Sequence, residues 1–232
     1  MSRNVPAEFD NYGGNYDEKV NASISFSGLK VDFFVRAKVA YLCEALAENL
    51  GELRGADILD VGCGIGNYHP RLPESLRSIS AVDVSSRCID AARVCNPGVA
   101  YQTYDGMRLP YRDASFDAVY TICVMHHVPA ETWESFTREM RRVVRPGGLT
   151  AIFEHNPFNP LTRRAVATCE FDENAVLLRA RRTRLLLRAA GFREVRSRYI
   201  LTLPATGGLL HKVDRLFSRV PLGAQYYAVG IR

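Results

Sequence analysis

The stretch Ile58-Leu59-Asp60-Val61-Gly62-Cys63-Gly64-Ile65-Gly66-Asn67 decides how the chain is read. Its first four residues form a short, mostly apolar run, which suits a strand buried on both faces of a parallel sheet. Glycines then occupy alternate positions. Without a β-carbon the backbone turns sharply there and approaches a ligand more closely than other residues allow. A strand that ends in such a turn marks the ligand edge of a sheet.

Working outward, the pattern is one of strands alternating with helices. Upstream, apolar residues recur at helical spacing from Val31 to Leu50, and Gly51 supplies a stop. Downstream, Ile79–Val84, Val99–Tyr104, Phe116–Cys123 and Leu149–Phe153 read as further strands, and Phe192–Thr202 and Tyr226–Ile231 close the series. Ser85 and Ser86 can cap a helix to about Cys95. Glu131–Val144 is an amphipathic helix ended by the breaker cluster Arg145-Pro146-Gly147-Gly148. A short helix is expected from Asp172 and another over Thr183–Ala190. Such alternation predicts an α/β, doubly wound, mostly parallel sheet with ligands at its carboxyl edge. Residues 1–28 are expected to be an irregular arm and 29–232 one domain, with pocket walls from 156–180 and 204–222. Tyr226 and Tyr227 are expected to divide between core and pocket rim.

With 232 residues, 47% hydrophobic and 24% charged, the chain is long enough to bury roughly 70% of its unfolded surface. It has no apolar run of the ~18 residues a membrane span needs and no secretory leader at its start, so a cytoplasmic location without membrane insertion is expected. The six cysteines lack metal-ligand or disulfide spacing, and no metal is expected. The net charge of +5 is modest and concentrated between Arg179 and Arg198, where a solvated helix face explains it without a nucleic-acid partner. In that helix Leu185, Leu186, Leu187, Ala189 and Ala190 are expected to pack inward, leaving Arg184 and Arg188 exposed. Three motifs are coincidental. Leu203-Pro-Ala-Thr-Gly207 lacks the flanking signals of cell-wall sorting, Asn21-Ala-Ser23 is a sequon with no export signal, and Asn156-Pro157-Phe158 follows the wrong strand for DNA amino-methylation.

A nicotinamide-binding turn spaces its glycines G-x-G-x-x-G and rests a pyrophosphate on the next helix. Here the third glycine comes one place early, and Pro70 and Pro73 spoil a long aligned helix behind it. The spacing favours S-adenosylmethionine (SAM), which has no phosphate to seat. ILDVGCGIGN resembles the first motif of the class I SAM-dependent methyltransferases. YDGMRLPYRDASFDAVYTICVMHHVP and RRVVRPGGLTAIFE resemble their later core in the same order. The resemblance is to the small-molecule group that includes the ubiquinone and menaquinone enzymes. It covers Ile58 to Glu154 and implies a three-layer, Rossmann-like sheet of seven strands in the order 3-2-1-4-5-7-6, the last antiparallel.

The resemblance also implies the cofactor site. Asp60, Gly62, Cys63, Gly64 and Gly66 belong to the glycine turn. Asp83, followed by Val84, holds the ribose hydroxyls. Asp105, Gly106 and Met107 meet the adenine, and Gly62, Ile122 and Cys123 line the methionine part. Tyr16 and Tyr12 close over the cofactor from the N-terminal arm, or are exposed on it; Lys38 pairs with the methionine carboxylate, or is solvated.

Methyl transfer to oxygen also needs a proton acceptor, and histidine suits that task. His126 and His127 follow the fourth strand, and Glu154 ends the fifth. Adjacent strands lie about 5 Å apart, so a histidine–glutamate contact is expected at the sheet edge. One histidine acts as base, or the pair holds the loop and orients substrate. The expected reaction is methylation of a small-molecule oxygen on a sugar, lipid-linked glycan or secondary metabolite. Carbon or nitrogen methylation of a quinone-like molecule, a nicotinamide oxidoreductase and a non-catalytic SAM-binding protein are the alternatives.

Overall fold

The computed structural model describes residues 16–232, with side chains from Glu18 onward. Seven strands form one sheet: β1 (Asp57–Val61), β2 (Ser78–Asp83), β3 (Ala100–Thr103), β4 (Phe116–Ile122), β5 (Val144–His155), β6 (Arg193–Ile200) and β7 (Gln225–Ile231). Their order is β3-β2-β1-β4-β5-β7-β6. Neighbours from β3 to β5 run parallel, and β7 is antiparallel to both β5 and β6. This is the sheet expected from the sequence.

Alternation along the central strands sends side chains into two separate cores. Ile58, Tyr120 and Phe153 point to the side covered by α2 (Val31–Leu50), where they meet Leu42 and Leu46. Leu59, Val119 and Ile152 point to the other side, against Met140 of α4 (Trp133–Val143) and Leu187 of α6 (Ala180–Ala189). A further helix, α3 (Ser86–Cys95), covers β2 and β3, and Ser85 caps it by accepting the Cys88 N–H.

Several local expectations are corrected. Residues 16–24 are not an irregular arm but a helix, α1 (Tyr16–Ile24). It is weakly amphipathic alone and is held by tertiary contacts: Lys19 pairs with Glu170 at 2.5 Å, and Thr168 donates to the Ser23 carbonyl. The breaker cluster does not separate helix from strand. It is a bulge inside β5, whose register jumps from Phe116↔Val144 to Ala118↔Leu149. No helix starts at Asp172, which instead ends a 3-10 turn. The helix lies earlier, at α5 (Pro160–Thr168), because Asn159 accepts from the Leu161 and Thr162 N–H groups and Pro160 suits its first position. The segment 204–222 contains a further helix, α7 (Gly208–Leu216). Tyr226 and Tyr227 are both buried, the former bonded to Thr183 and the Leu178 carbonyl. In α6, Leu185 and Ala189 are exposed, and Arg184 is drawn against Ser197.

The bulge yields a test. A β-carbon on Gly148 would sit 2.6 Å from the Asp117 carbonyl, a backbone atom that has little room to give. Gly148→Ala should destabilise the fold by about 1–3 kcal/mol in urea unfolding, as overpacked sites do. An unchanged midpoint would show that the β4–β5 junction is looser than it looks.

Candidate active site

The glycine turn has two faces. Gly62 and Cys63 donate their N–H groups to the Val82 carbonyl, which bends the chain over β2. On the outer face a β-carbon on Gly64, at φ +52°, would enter open space. On the inner face a β-carbon on Gly66 would strike Tyr101 and Asn96. Asp60 also faces inward. Its Oδ2 lies 3.0 Å from His69 Nε2, and His69 Nδ1 meets the Tyr101 hydroxyl. Of the five turn residues expected at the cofactor, Gly62, Cys63 and Gly64 line a cavity, whereas Asp60 and Gly66 brace the turn from behind. Those two hold the turn through contacts with His69, Tyr101 and Asn96 and are not part of the cavity lining.

The cavity has a volume of about 1130 Å³, above the ~300–1,000 Å³ of an ordinary ligand pocket. That leaves space for a cofactor and an acceptor together. Asp83 reaches its wall from the end of β2. Its Oδ2 accepts from the Gly64 N–H at 2.8 Å and its Oδ1 from the Ser85 N–H at 2.9 Å. Burial pushes its carboxyl above the usual range, against those two hydrogen bonds. Val84 lies beside it. Farther along, Asp105 Oδ1 accepts from the Met107 and Arg108 N–H groups and so shapes the turn that carries Gly106; Met107, 74% exposed, forms the rim.

Ile122 and Cys123 supply the floor between β4 and β5. Lys38 reaches the same wall from α2, buried, with Nζ 3.2 Å from the Tyr68 hydroxyl and 3.3 Å from Cys123 Sγ. Burial alone would raise the Cys123 thiol, but Lys38 and His155 outweigh it and bring it to about 7. The Lys38 ammonium gives this wall a positive charge that complements an anionic group on a ligand. Tyr12 lies outside the described residues, and Tyr16 is described only as the first backbone residue of α1.

These residues fit SAM. The open space over Gly64 admits a ligand close to backbone, the Asp83 oxygens are acceptors suited to a vicinal diol, and Lys38 complements a carboxylate.

The same cavity is lined by His126, His127 and His155. His126 Nδ1 lies 2.6 Å from Glu154 Oε2, linking β5 to the loop after β4, as the strand spacing led one to expect. His126 Nε2 lies 3.3 Å from Asp172 Oδ1, and His127 Nε2 lies 3.4 Å from the same oxygen. Burial works against protonation of His126, but Glu154 and Asp172 outweigh it and hold its pKa well above the histidine range. His127 goes the other way: burial and the His126 cation push it down to about 3. The Asp172 carboxyl falls to about 2, its bond to His126 overcoming burial. Sequence reasoning missed Asp172 as a site residue, taking it for a helix cap. Its one sequence signal was its position inside the segment expected to wall the pocket.

Three comparisons relate the chain to known methyltransferases. Residues 59–152 match the family described as "Methyltransferase domain". Over 118 residues the chain is 37% identical to methyltransferase GfsG of Streptomyces halstedii, covering 48% of this chain and 42% of that one. It is 32% identical to the 27-O-demethylrifamycin SV methyltransferase of Amycolatopsis mediterranei, covering 48% and 43%. The chain therefore spans less than half the length of these curated relatives. A SAM-dependent methyltransferase from Thermotoga maritima, described as a possible histamine N-methyltransferase, shares the fold. Its TM-score is 0.67 at 18% identity, over 98% of this chain and 99% of that one. Residues 59–152 thus match a methyltransferase domain, and the strand order is that of the Rossmann-like methyltransferase fold.

The histidine cluster also sets a pH dependence. His127 is neutral in the folded chain down to about pH 3, whereas an ordinary histidine takes its proton near 6.5. Between those values the unfolded chain binds more protons, so this residue's contribution to stability is full above 6.5 and is lost as pH falls toward 3. His127→Gln should remove ~1.4 kcal/mol per pH unit of acid sensitivity in that window, measured by urea unfolding at pH 6.5 and 4.5. Equal losses in both proteins would mean that His127 is protonated in the folded chain.

Proposed function

We propose that this chain transfers a methyl group from SAM to an oxygen of a small, predominantly apolar acceptor. The observation that carries this reading is a single cavity lined both by the glycine turn and Asp83 and by the His126–His127–Asp172 cluster. Much of the remaining lining is apolar and includes Ile24, Phe26, Phe33, Leu161, Val166 and Phe171. Such a lining suits a secondary metabolite or lipid-linked molecule better than a bare sugar. The methylation of a rifamycin named for one relative is in keeping with that.

Bound SAM supplies a methyl group on a positively charged sulfur that leaves as a neutral thioether. The turn, Asp83 and Lys38 hold the donor end in place, and alignment of this kind is worth several kcal/mol. As the methyl moves, positive charge develops on the acceptor oxygen and its proton becomes strongly acidic. His127, unprotonated and at the cavity wall, takes that proton even though it is a weak base. The Asp172 carboxylate beside it stabilises the resulting imidazolium, and His126, clamped by Glu154, fixes Asp172 in place.

A second reading, methylation of a quinol-type carbon, is supported by the 30% identity to the 2-methyl-6-phytyl-1,4-hydroquinone methyltransferase of Synechocystis, over 44% of this chain and 33% of that one. It uses the same cavity and the same proton acceptor.

Two experiments test the proposal. Calorimetric titration with S-adenosylhomocysteine should show binding that Asp83→Asn weakens about tenfold, the worth of one hydrogen bond to a charged group. Binding of NAD in its place would sink the cofactor reading. With an acceptor found by screening hydroxylated apolar compounds for mass gain, His127→Ala and Asp172→Asn should each lower kcat by roughly 10²- to 10⁴-fold. Their affinity for S-adenosylhomocysteine should stay unchanged. Full turnover in both variants would leave the cluster without a chemical role.

A further inference from the structure

Helix α7 is built inside out. A helix on a protein surface ordinarily turns its apolar stripe inward. Here the inward face is polar: Asp214, 1% exposed, accepts from the Tyr41 hydroxyl and from the Leu201 and Leu203 N–H groups. His211 approaches Glu44, and Arg215 pairs with Glu44 and Glu48. The outward face carries Leu209 at 78% exposure and Leu216 at 79%.

The apolar surface continues past the helix. Among the described residues twelve large hydrophobic side chains are exposed, and six of them lie between Leu209 and Leu222. Two more, Phe158 and Leu161, adjoin that segment, because Asn159 between them donates to the Leu222 carbonyl at 2.8 Å. Eight of twelve in one region is a patch and not scatter, and patches of this kind mark interaction sites. Leu161 also lines the cavity, so the patch borders its mouth.

The segments that carry the patch are basic, and two acids beyond them, Asp172 and Glu173, share a pocket with Arg163 and Arg164. Across residues 157–169 and 203–222 the sole acidic residue is Asp214, which is buried. Arg163, Lys212 and Arg219 lie in the same stretches with no acidic partner among the described residues, and Arg164 sits over the Phe26 ring. The acidic groups that face α7 from α2, Glu44 and Glu48, are both paired with arginine. Exposed leucine and phenylalanine interleaved with lysine and arginine is the composition of a surface that lies in a membrane interface.

We propose that this face docks the chain on an anionic lipid bilayer. Leu209, Leu216, Leu222 and Phe158 enter the boundary between headgroups and acyl chains, and Arg163, Lys212 and Arg219 meet lipid phosphates. No helix spans the bilayer in this arrangement. The consequence for catalysis, which rests on the methyl transfer proposed above, is that an apolar acceptor passes from the lipid into the cavity beside Leu161 without crossing water.

The test is vesicle flotation of the full chain, without cofactor or acceptor. One set of vesicles is phosphatidylcholine alone and the other an equal mixture with phosphatidylglycerol. Binding is expected on the anionic vesicles, at least about tenfold weaker on the neutral ones, and reduced in 0.5 M salt. The double variant Leu209→Ser/Leu216→Ser, and separately Lys212→Glu/Arg219→Glu, should each lose about tenfold or more, with thermal melting unchanged because all four side chains face outward. Absence of binding, or binding that neither variant alters, overturns the proposal. So does a wild-type dimer on gel filtration that the leucine variant dissociates, since that assigns the face to a second copy of the chain. Vesicle binding that persists in a protein unable to bind S-adenosylhomocysteine would leave this surface standing and remove only the methyltransferase reading.

Discussion

Strands β1, β4 and β5 are covered by helices on both faces, so their backbones reach a ligand only at their ends. Because β1, β2, β4 and β5 run parallel, four carboxyl ends lie side by side at one edge. Everything argued for the site depends on that constraint. Gly62 follows β1, Asp83 ends β2, Cys123 to His127 follow β4, and Glu154 lies at the end of β5. Residues far apart in the chain thereby meet across a few strand spacings.

Two buried carboxylates at this edge show how surroundings assign a role. Asp83 is raised by burial and held by backbone N–H groups, which leaves it an acceptor for ligand hydroxyls. Glu154 is buried as deeply, yet the His126 cation beside it outweighs burial and holds it ionised. A buried charge persists only when it is paired, and here one imidazolium is shared by two carboxylates. His127, next to that cation, is kept neutral. Adjacent histidines thus have opposite protonation states, and the neutral one is able to receive a proton.

The cavity and the patch on α7 extend the same logic to the outer surface. The N-terminal helix and α5 line the cavity with apolar side chains, and the segment after α7 carries that character to the outside near Leu161 and Leu222. An apolar cavity that meets an exposed apolar and basic surface at Leu161 suits the proposed acceptor, which partitions out of water.

Much of this was legible in the residues alone. Alternating apolar runs and breakers marked the seven strands, because buried parallel strands and the helices between them leave strong local patterns, whereas the order of those strands came from the resemblance to the class I methyltransferases. Glycine spacing and the carboxylates at strand ends pointed to the cofactor, and the placement of His126, His127 and Glu154 followed from strand spacing. The role of α1 was hidden because its helix depends on distant contacts with α5 and Glu170. That Asp60 and Gly66 face His69, Tyr101 and Asn96 behind the turn was not legible, since a motif records the residues a turn needs and not the direction each one points. Asp172 was missed because nothing local distinguishes an acid that caps a helix from one that reaches a histidine 46 positions earlier. The sequence by itself determined the sheet, its ligand edge and the class of cofactor, since these rest on periodicity and backbone conformation. Only the tertiary structure decided which histidine is charged, which acid joins the pair and where the apolar face of α7 points, because burial and through-space charge have no signature along the chain.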